Sequence, residues 1–363
     1  MKDDETAIDT AGFCPECAHW RAEGDRFCPH CGRALNGPAT AAPHHNSLLH
    51  SAAVACALIV AAGLLFSLVY LVFDLGTLFA AAETISFHFS LYVGTYLCRL
   101  SGLSGTALDC YIVLLLIIEL LCLFVAVRLF IKGFRRGEKT RSEDATERTG
   151  LTAGCTILAV SLLLSYIYFI IAAMYGYIPD TSWTDAYTNE QMYILLANAG
   201  TWEELTDRVL YIGVPMMIVA FVYRRDKKGW QYLFGGFGMS RTAVIFILFS
   251  SVMFGLAHLN GWGWTKVPDA MIAGLLFGYV YVQYGLYASI LMHTANDVML
   301  TVIQNTIGSG TAALLILAVC TLGLLTLIYW VLKPRKDVLN IQQMPWFPAK
   351  LEGSVGARWS REQ

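Results

Sequence analysis

The sequence predicts an all-α polytopic membrane protein, with about eight transmembrane helices behind a small cysteine-rich N-terminal module. Three observations carry this. Of 363 residues, 56% are hydrophobic and only 14% charged, where a soluble domain carries nearer ~25% charged residues. The mean hydropathy is +0.54. Apolar runs of bilayer length recur from residue 48 to residue 332, against the ~20 residues a helix needs to cross a bilayer core. A net charge of −2 gives no basic field for nucleic acid, and none is expected as a partner.

Residues 1–33 hold four of the ten cysteines. Cys14 and Cys17 form one CxxC knuckle, and Cys28 and Cys31 form a second after ten intervening residues. Each knuckle aims two thiolates at one point, and two knuckles complete a tetrahedron that suits Zn²⁺. The segment resembles the short zinc-ribbon modules found at the ends of many bacterial proteins. The resemblance implies a structural Zn²⁺ that supplies the folding energy of a segment too short to build a core. A disulfide pair is the competing reading. The first 47 residues lack an apolar h-region, so no cleavable signal peptide is predicted. Residues 34–47 read as a Pro/Ala/Gly linker.

Apolar segments follow at about 48–73, 110–131, 151–177, 203–223, 242–258, 269–284, 286–305 and 312–332. They divide into an N-terminal transmembrane region (48–149), a core (150–332) and a tail (333–363). Lys132, Arg135, Arg136, Lys139, Arg141 and Arg148 form one basic segment. Arg224, Arg225, Lys227, Lys228 and Arg241 form another, and the tail opens with Lys333, Arg335 and Lys336. With eight spans, all three basic segments and the N-terminus fall on the cytoplasmic side. Thiols stay reduced there, which suits a zinc ribbon that recruits a cytoplasmic protein partner.

Residues 76–97 are apolar yet hold Glu83 and His88. Both groups are costly in lipid, so an interfacial or re-entrant element is expected rather than a ninth span. Within residues 76–109 and at the start of the next span, Cys98 and Cys110 then face outward, and a disulfide between them is open. The other scattered cysteines read as packing residues.

Three stretches concentrate chemistry. Thr201 reads as a helix N-cap with Glu204 in the capping-box position, which opens the fourth span near residue 203. Glu204 and Arg208 are four apart and pair on one helix face. Glu203 sits about 100° around the helix and has no local partner, which leaves it for general-base work. Phe254 and His258 share a face in the next span, and His293 shares one with Asn296 and Asp297. Ionisable groups inside spans are functional by default. Glu203 lies 21 residues from Arg224, about 31 Å of helix, which puts it near the outer interface. Similar arithmetic puts His258 and His293 in the outer half of the bilayer.

EExxxR at Glu203, Glu204 and Arg208, FxxxH at Phe254 and His258, and Hxxx(N/D) at His293 and Asp297 resemble, in this order on membrane helices, the CAAX-protease and bacteriocin-processing family (CPBP, or Abi). The resemblance covers roughly residues 150–332. It implies an intramembrane endopeptidase acting on a peptide or membrane-protein substrate at the lipid bilayer. Glu203 with His258 would activate water, and His293 with Asn296 or Asp297 would stabilise the oxyanion. Glu204 and Arg208 would brace the site, with Phe254 as a packing wall. The family often has Asn where Asp297 stands. An ionised Asp297 opposes an oxyanion, so it must be protonated, turned away, or holding His293.

Two histidines and a carboxylate also match a catalytic metal set. A glutamate-dependent mechanism is preferred, because Glu203 cannot both ligate a metal and act freely as base. The competing functions are a non-catalytic membrane scaffold or bacteriocin-immunity protein, and a transporter using the same residues as a proton relay. The expected residence is a bacterial cytoplasmic membrane with both termini cytoplasmic. Eukaryotic members of the family are thought to open their cavity to the cytosol, whereas charge counting here sends the site outward.

Overall fold

The structure is a computed structural model that describes residues 12–13, 20–21, 47–140, 149–224 and 229–332. The chain divides into two units, Met1–Asn46 and Ser47–Gln363. In the first, β1 (Gly12–Phe13) and β2 (Trp20–Arg21) pair antiparallel, with Phe13 opposite Trp20. Cys14, Cys17, Cys28 and Cys31 lie outside the described residues.

The second unit is mostly helical. Its elements are α1 (Ser47–Phe73), α2 (Leu75–Ala82), β3 (Phe87–Val93), β4 (Tyr96–Leu103), α3 (Thr106–Thr140) and α4 (Gly150–Met174). The long helix α5 (Asn189–Val222) follows, then α6 (Arg241–Ala257) and the short α7 (Leu259–Trp262). Last come α8 (Lys266–Tyr284), α9 (Leu286–Thr306) and α10 (Ser309–Leu332). Among the described residues, seven helices are long and apolar enough to cross a membrane: α1, α3, α4, α5, α6 with α7, α9 and α10. The chain is therefore an integral membrane protein in composition and helix length. The expected eighth span, 269–284, does form a helix, α8, but is not one of the seven. Lys266, Asp269 and Gln283 lower its hydropathy, and it lies against α4, α6 and α9 instead.

Each boundary has a local cause. Thr149 caps α4 by accepting from the Thr152 amide at 3.4 Å, and Ser240 caps α6 through the Ala243 amide at 3.1 Å. Gly285, at φ +107°, makes the reversal between α8 and α9, a conformation that side chains resist.

The fourth span starts earlier than expected. Thr188 and Gln191 form a full capping box, so α5 begins at Asn189, and Thr201 is a buried mid-helix residue rather than an N-cap. Polar residues from Asn189 to Thr201 hide this start, because they interrupt the apolar run, although Gln191 and Thr201 among them are buried in the bundle. The helix is not uniform: Ala199–Glu203, Leu205–Gly213 and Ala220–Arg224 are wound as π-helix. Such turns are rare and concentrate at functional sites.

Residues 76–97 are not a span. They end α2 and form most of a two-stranded antiparallel hairpin, β3 with β4, bulged at Phe89/Ser90. Cys98 pairs with Leu91 in that register, and Cys98 and Cys110 are both free thiols, so no disulfide joins them.

The core runs continuously through α1, α3, α4, α9 and α10. The most hydrophobic stretch of α9 is 67% buried, against 28–39% for the other spans, which makes α9 the axis of the bundle. The outward faces carry Leu58, Phe124, Ile170, Ile245 and Leu314, as lipid contact requires.

Candidate active site

Two helices supply most of the site. α5 presents Glu203, Glu204, Asp207 and Arg208, and the central α9 presents Ser289, His293, Asn296 and Asp297. The Glu204 carboxylate is fully buried and fully engaged. Its Oε1 lies 2.9 Å from His293 Nδ1, its Oε2 accepts from the Ser289 hydroxyl, and Arg208 Nε lies 3.2 Å from Oε2. The i,i+4 spacing of Glu204 and Arg208 is the reason they meet. Arg208 is itself buried, donates from Nη1 to Ser250 Oγ at 3.0 Å and stacks 4.8 Å over the Phe254 ring. Ser250 passes its own hydrogen to the Asp207 carbonyl at 2.6 Å.

His293 is gripped at both nitrogens. Nδ1 faces Glu204, while Nε2 lies 3.2 Å from Asp297 Oδ2 and 3.8 Å from Glu203 Oε2. Carboxylates only accept, so the short contacts at Nδ1 and Nε2 each call for an N–H. Asn296 donates its amide to Asp297 Oδ1 at 2.7 Å. Asp297 thus holds His293 with one oxygen and one amide hydrogen of Asn296 with the other, which leaves Asn296 a second N–H. The π-wound turn Ala295–Met299 carries Asn296 and Asp297.

Glu203 differs from its neighbour. Its side chain is 32% exposed, and among the described residues its carboxylate has no hydrogen-bond partner. The absence of a local partner on α5 holds, but α9 supplies His293 at 3.8 Å, a partner that helix spacing cannot show.

His258 closes α6, its ring 4.7 Å from Phe254, with Nδ1 2.8 Å from the Phe254 carbonyl. A carbonyl only accepts, so Nδ1 carries a proton and Nε2 is the free basic nitrogen of the neutral ring. Phe254 also lies 5.9 Å from His293, so one aromatic ring separates the two histidines. Phe254, Phe277 and Arg208 form the wall behind them.

The β3–β4 hairpin is fastened to the same elements. Trp202, beside Glu203, donates to the Ser90 carbonyl at 2.8 Å, and Tyr211 donates to that of Tyr92. Asn260, two residues after His258, donates to the Thr95 carbonyl at 2.7 Å.

Among the described residues, no three His, Cys, Asp or Glu side chains converge as a metal-holding group. Nδ1 of His258 faces a carbonyl and Nδ1 of His293 faces Glu204, which leaves Nε2 as the ring nitrogen that each turns toward the site. All eight sequence-identified side chains outside the cysteine cluster therefore fall in one neighbourhood. Sequence reasoning missed Ser250, Ser289 and the fully buried Glu119 of α3, whose Oε1 lies 3.3 Å from Thr294 Oγ1. Ser250 and Ser289 carry no signal that separates them from other helix serines. Glu119 does: it is the single acid within the apolar run 111–127.

A family model described as Type II CAAX prenyl endopeptidase Rce1-like matches residues 191–299. No curated protein and no solved structure matches the chain. The matched stretch is under a third of the chain, yet it contains Glu203, Glu204, Arg208, Phe254, His258, His293, Asn296 and Asp297. Across this stretch the chain is similar to a family of membrane proteases.

Proposed function

We propose that the chain is an intramembrane endopeptidase, in which Glu203 activates water to attack a peptide carbonyl near the membrane surface. The observation that carries this reading is the asymmetry of the glutamate pair. Glu203 alone is open and unbonded, beside a histidine that Glu204 and Asp297 hold in place. A base needs a lone pair within reach of water, and Glu203 has one where Glu204 has none to spare.

In the attack, the proton of water passes to Glu203, aided by the Nε2 lone pair of His258. The negative charge that develops on the carbonyl oxygen is met by the Nε2–H of His293, shared between that oxygen and Asp297 Oδ2. Asp297 orients that N–H rather than facing the oxyanion itself. The proton held by Glu203 then passes to the leaving amine. No step calls on a metal. Activity that survives chelation in a chain whose four N-terminal cysteines are replaced would support this, while loss restored by added Zn²⁺ would refute it.

Supporting the membrane setting are the seven apolar helices and the family match. The substrate class is a peptide or membrane-protein tail or leader. The proposed residence is a bacterial cytoplasmic membrane, with termini and basic segments cytoplasmic and the site toward the outer face. Cys14, Cys17, Cys28 and Cys31 would hold a structural Zn²⁺ in a module that binds a cytoplasmic partner. Comparison of protein termini between cells carrying wild type and Glu203→Gln tests the function. Products that vanish in the variant identify a protease and its substrates; an unchanged set of termini with an unchanged phenotype identifies a scaffold.

A further inference from the structure

Helical threonines in this chain usually spend their hydroxyl hydrogen on the carbonyl one turn back. Thr156 donates to Thr152, Thr301 to Asp297, Thr306 to Val302 and Thr321 to Leu317. Thr294, the residue after His293, does otherwise. Its hydroxyl is turned across to α3, 3.3 Å from Glu119 Oε1, and both side chains are fully buried. Thr294 is also pinned from behind. A Cβ on Gly200 of α5 would lie 2.8 Å from Thr294 Oγ1 and 3.3 Å from its amide nitrogen, so α5 and α9 touch backbone to side chain there. Gly200 is three residues before Glu203. The second oxygen of Glu119 is buried and has no hydrogen-bond partner among the described residues. A carboxyl half satisfied inside a bundle is costly to keep. Fold stability alone gives no reason for it, since leucine would fill the position more cheaply. Glu119 also lies outside residues 191–299, the stretch shared with the protease family.

We propose that Glu119 is a positioning residue for His293: by holding Thr294 across the α3–α9 interface, it sets the rotation of α9 that delivers His293 between Glu204, Asp297 and Glu203. The first long spans then have a task beyond anchoring. They complete the site from outside its core. The proposal takes His293 as the oxyanion donor and so rests on the protease reading, but its test needs no substrate.

The test is deuterium exchange at the imidazole C2 of each histidine, read by mass spectrometry on the full chain in micelles. His258 serves as the internal reference. Glu119→Ala and Thr294→Val should both change the exchange rate at His293 and leave His258 alone. Glu119→Gln keeps an oxygen to accept from Thr294 and should restore the wild-type rate. Thr294→Val is nearly isosteric and leaves Glu119 in place, so it reports even if Glu119→Ala does not fold. A wild-type His293 rate in Thr294→Val overturns the proposal, as does a Glu119→Gln rate altered like that of Glu119→Ala. The protease reading fails separately, if Glu203→Gln leaves cellular protein termini unchanged.

Discussion

Glu203 and Glu204 are chemically identical neighbours on one helix, and the fold treats them in opposite ways. Glu204 is sealed, with one oxygen on His293 and the other shared by Arg208 and Ser289. Glu203 keeps a third of its side chain exposed, and its carboxylate makes no hydrogen bond among the described residues. The lesson concerns division of labour. A catalytic acid near lipid needs freedom, and freedom is tolerable only where an adjacent network is fully satisfied. The largest expected effect follows directly. Glu203→Gln should lower cleavage by roughly 10²–10⁴-fold, the scale of a lost general base, while thermal unfolding in micelles stays near wild type. A variant that unfolds instead would make Glu203 a structural residue and erase the contrast.

Glu204 should behave in the converse manner. Glu204→Ala leaves Arg208 as a buried charge whose Nη2 has no hydrogen-bond partner among the described residues, and removing one member of a buried pair costs about 3–5 kcal/mol. Unfolding measurements on Glu204→Ala should show that loss, with activity falling both because less protein folds and because His293 loses its Nδ1 partner. The pair itself is not intrinsically stabilising, so Glu204→Gln with Arg208→Met should recover much of the stability and little of the activity. Equal activity in that double variant would remove Glu204 from any part in aiming His293.

A smaller loss is expected at Ser289. Its hydroxyl donates to a buried carboxylate, and hydrogen bonds to charged groups contribute about 1.5–3 kcal/mol. Ser289→Ala should therefore lower stability less than Glu204→Ala does, measured by the same unfolding transition. Any loss of cleavage should be modest, because Arg208 and His293 still hold Glu204.

The parts of this site that were legible in the sequence share one property: they are set by helix periodicity alone. Glu204 with Arg208, His293 with Asp297 and Phe254 with His258 each stand four residues apart, and each pair meets. The spans were legible for a related reason, since lipid demands long apolar helices. What escaped depends on the bundle. The true start of α5 at Asn189 was hidden because polar residues that face a helix partner look like a loop when read singly. The hairpin escaped because its apolar residues match the composition of a membrane segment, and only pairing distinguishes them. Ser289, Ser250 and the Glu119–Thr294 contact are cross-helix meetings, and no spacing within one helix announces them. The Asn296–Asp297 contact escaped for a different reason: neighbours in sequence point about 100° apart on a helix, yet one amide hydrogen of Asn296 reaches Asp297.

Asp297 offers the smallest and sharpest test, because it stands where the resembling family often has Asn. Its two oxygens do two jobs, holding His293 Nε2 at 3.2 Å and receiving the Asn296 amide at 2.7 Å. Asparagine has one acceptor oxygen and cannot do both. In Asp297→Asn the single oxygen should turn to His293, whose N–H is the better donor, and the new amide then repels that of Asn296. The Asn296 amide is released toward the site. Cleavage should stay within about tenfold of wild type, since an oriented donor is exchanged for a free one rather than lost. Asn296→Ala should matter little in wild type and cost more in the Asp297→Asn background, a non-additivity that a double-mutant cycle reads. Additive losses would mean that Asn296 never depended on Asp297. A loss as deep as that of Glu203→Gln would mean that the negative charge on Asp297, rather than its hold on His293, is what the site uses.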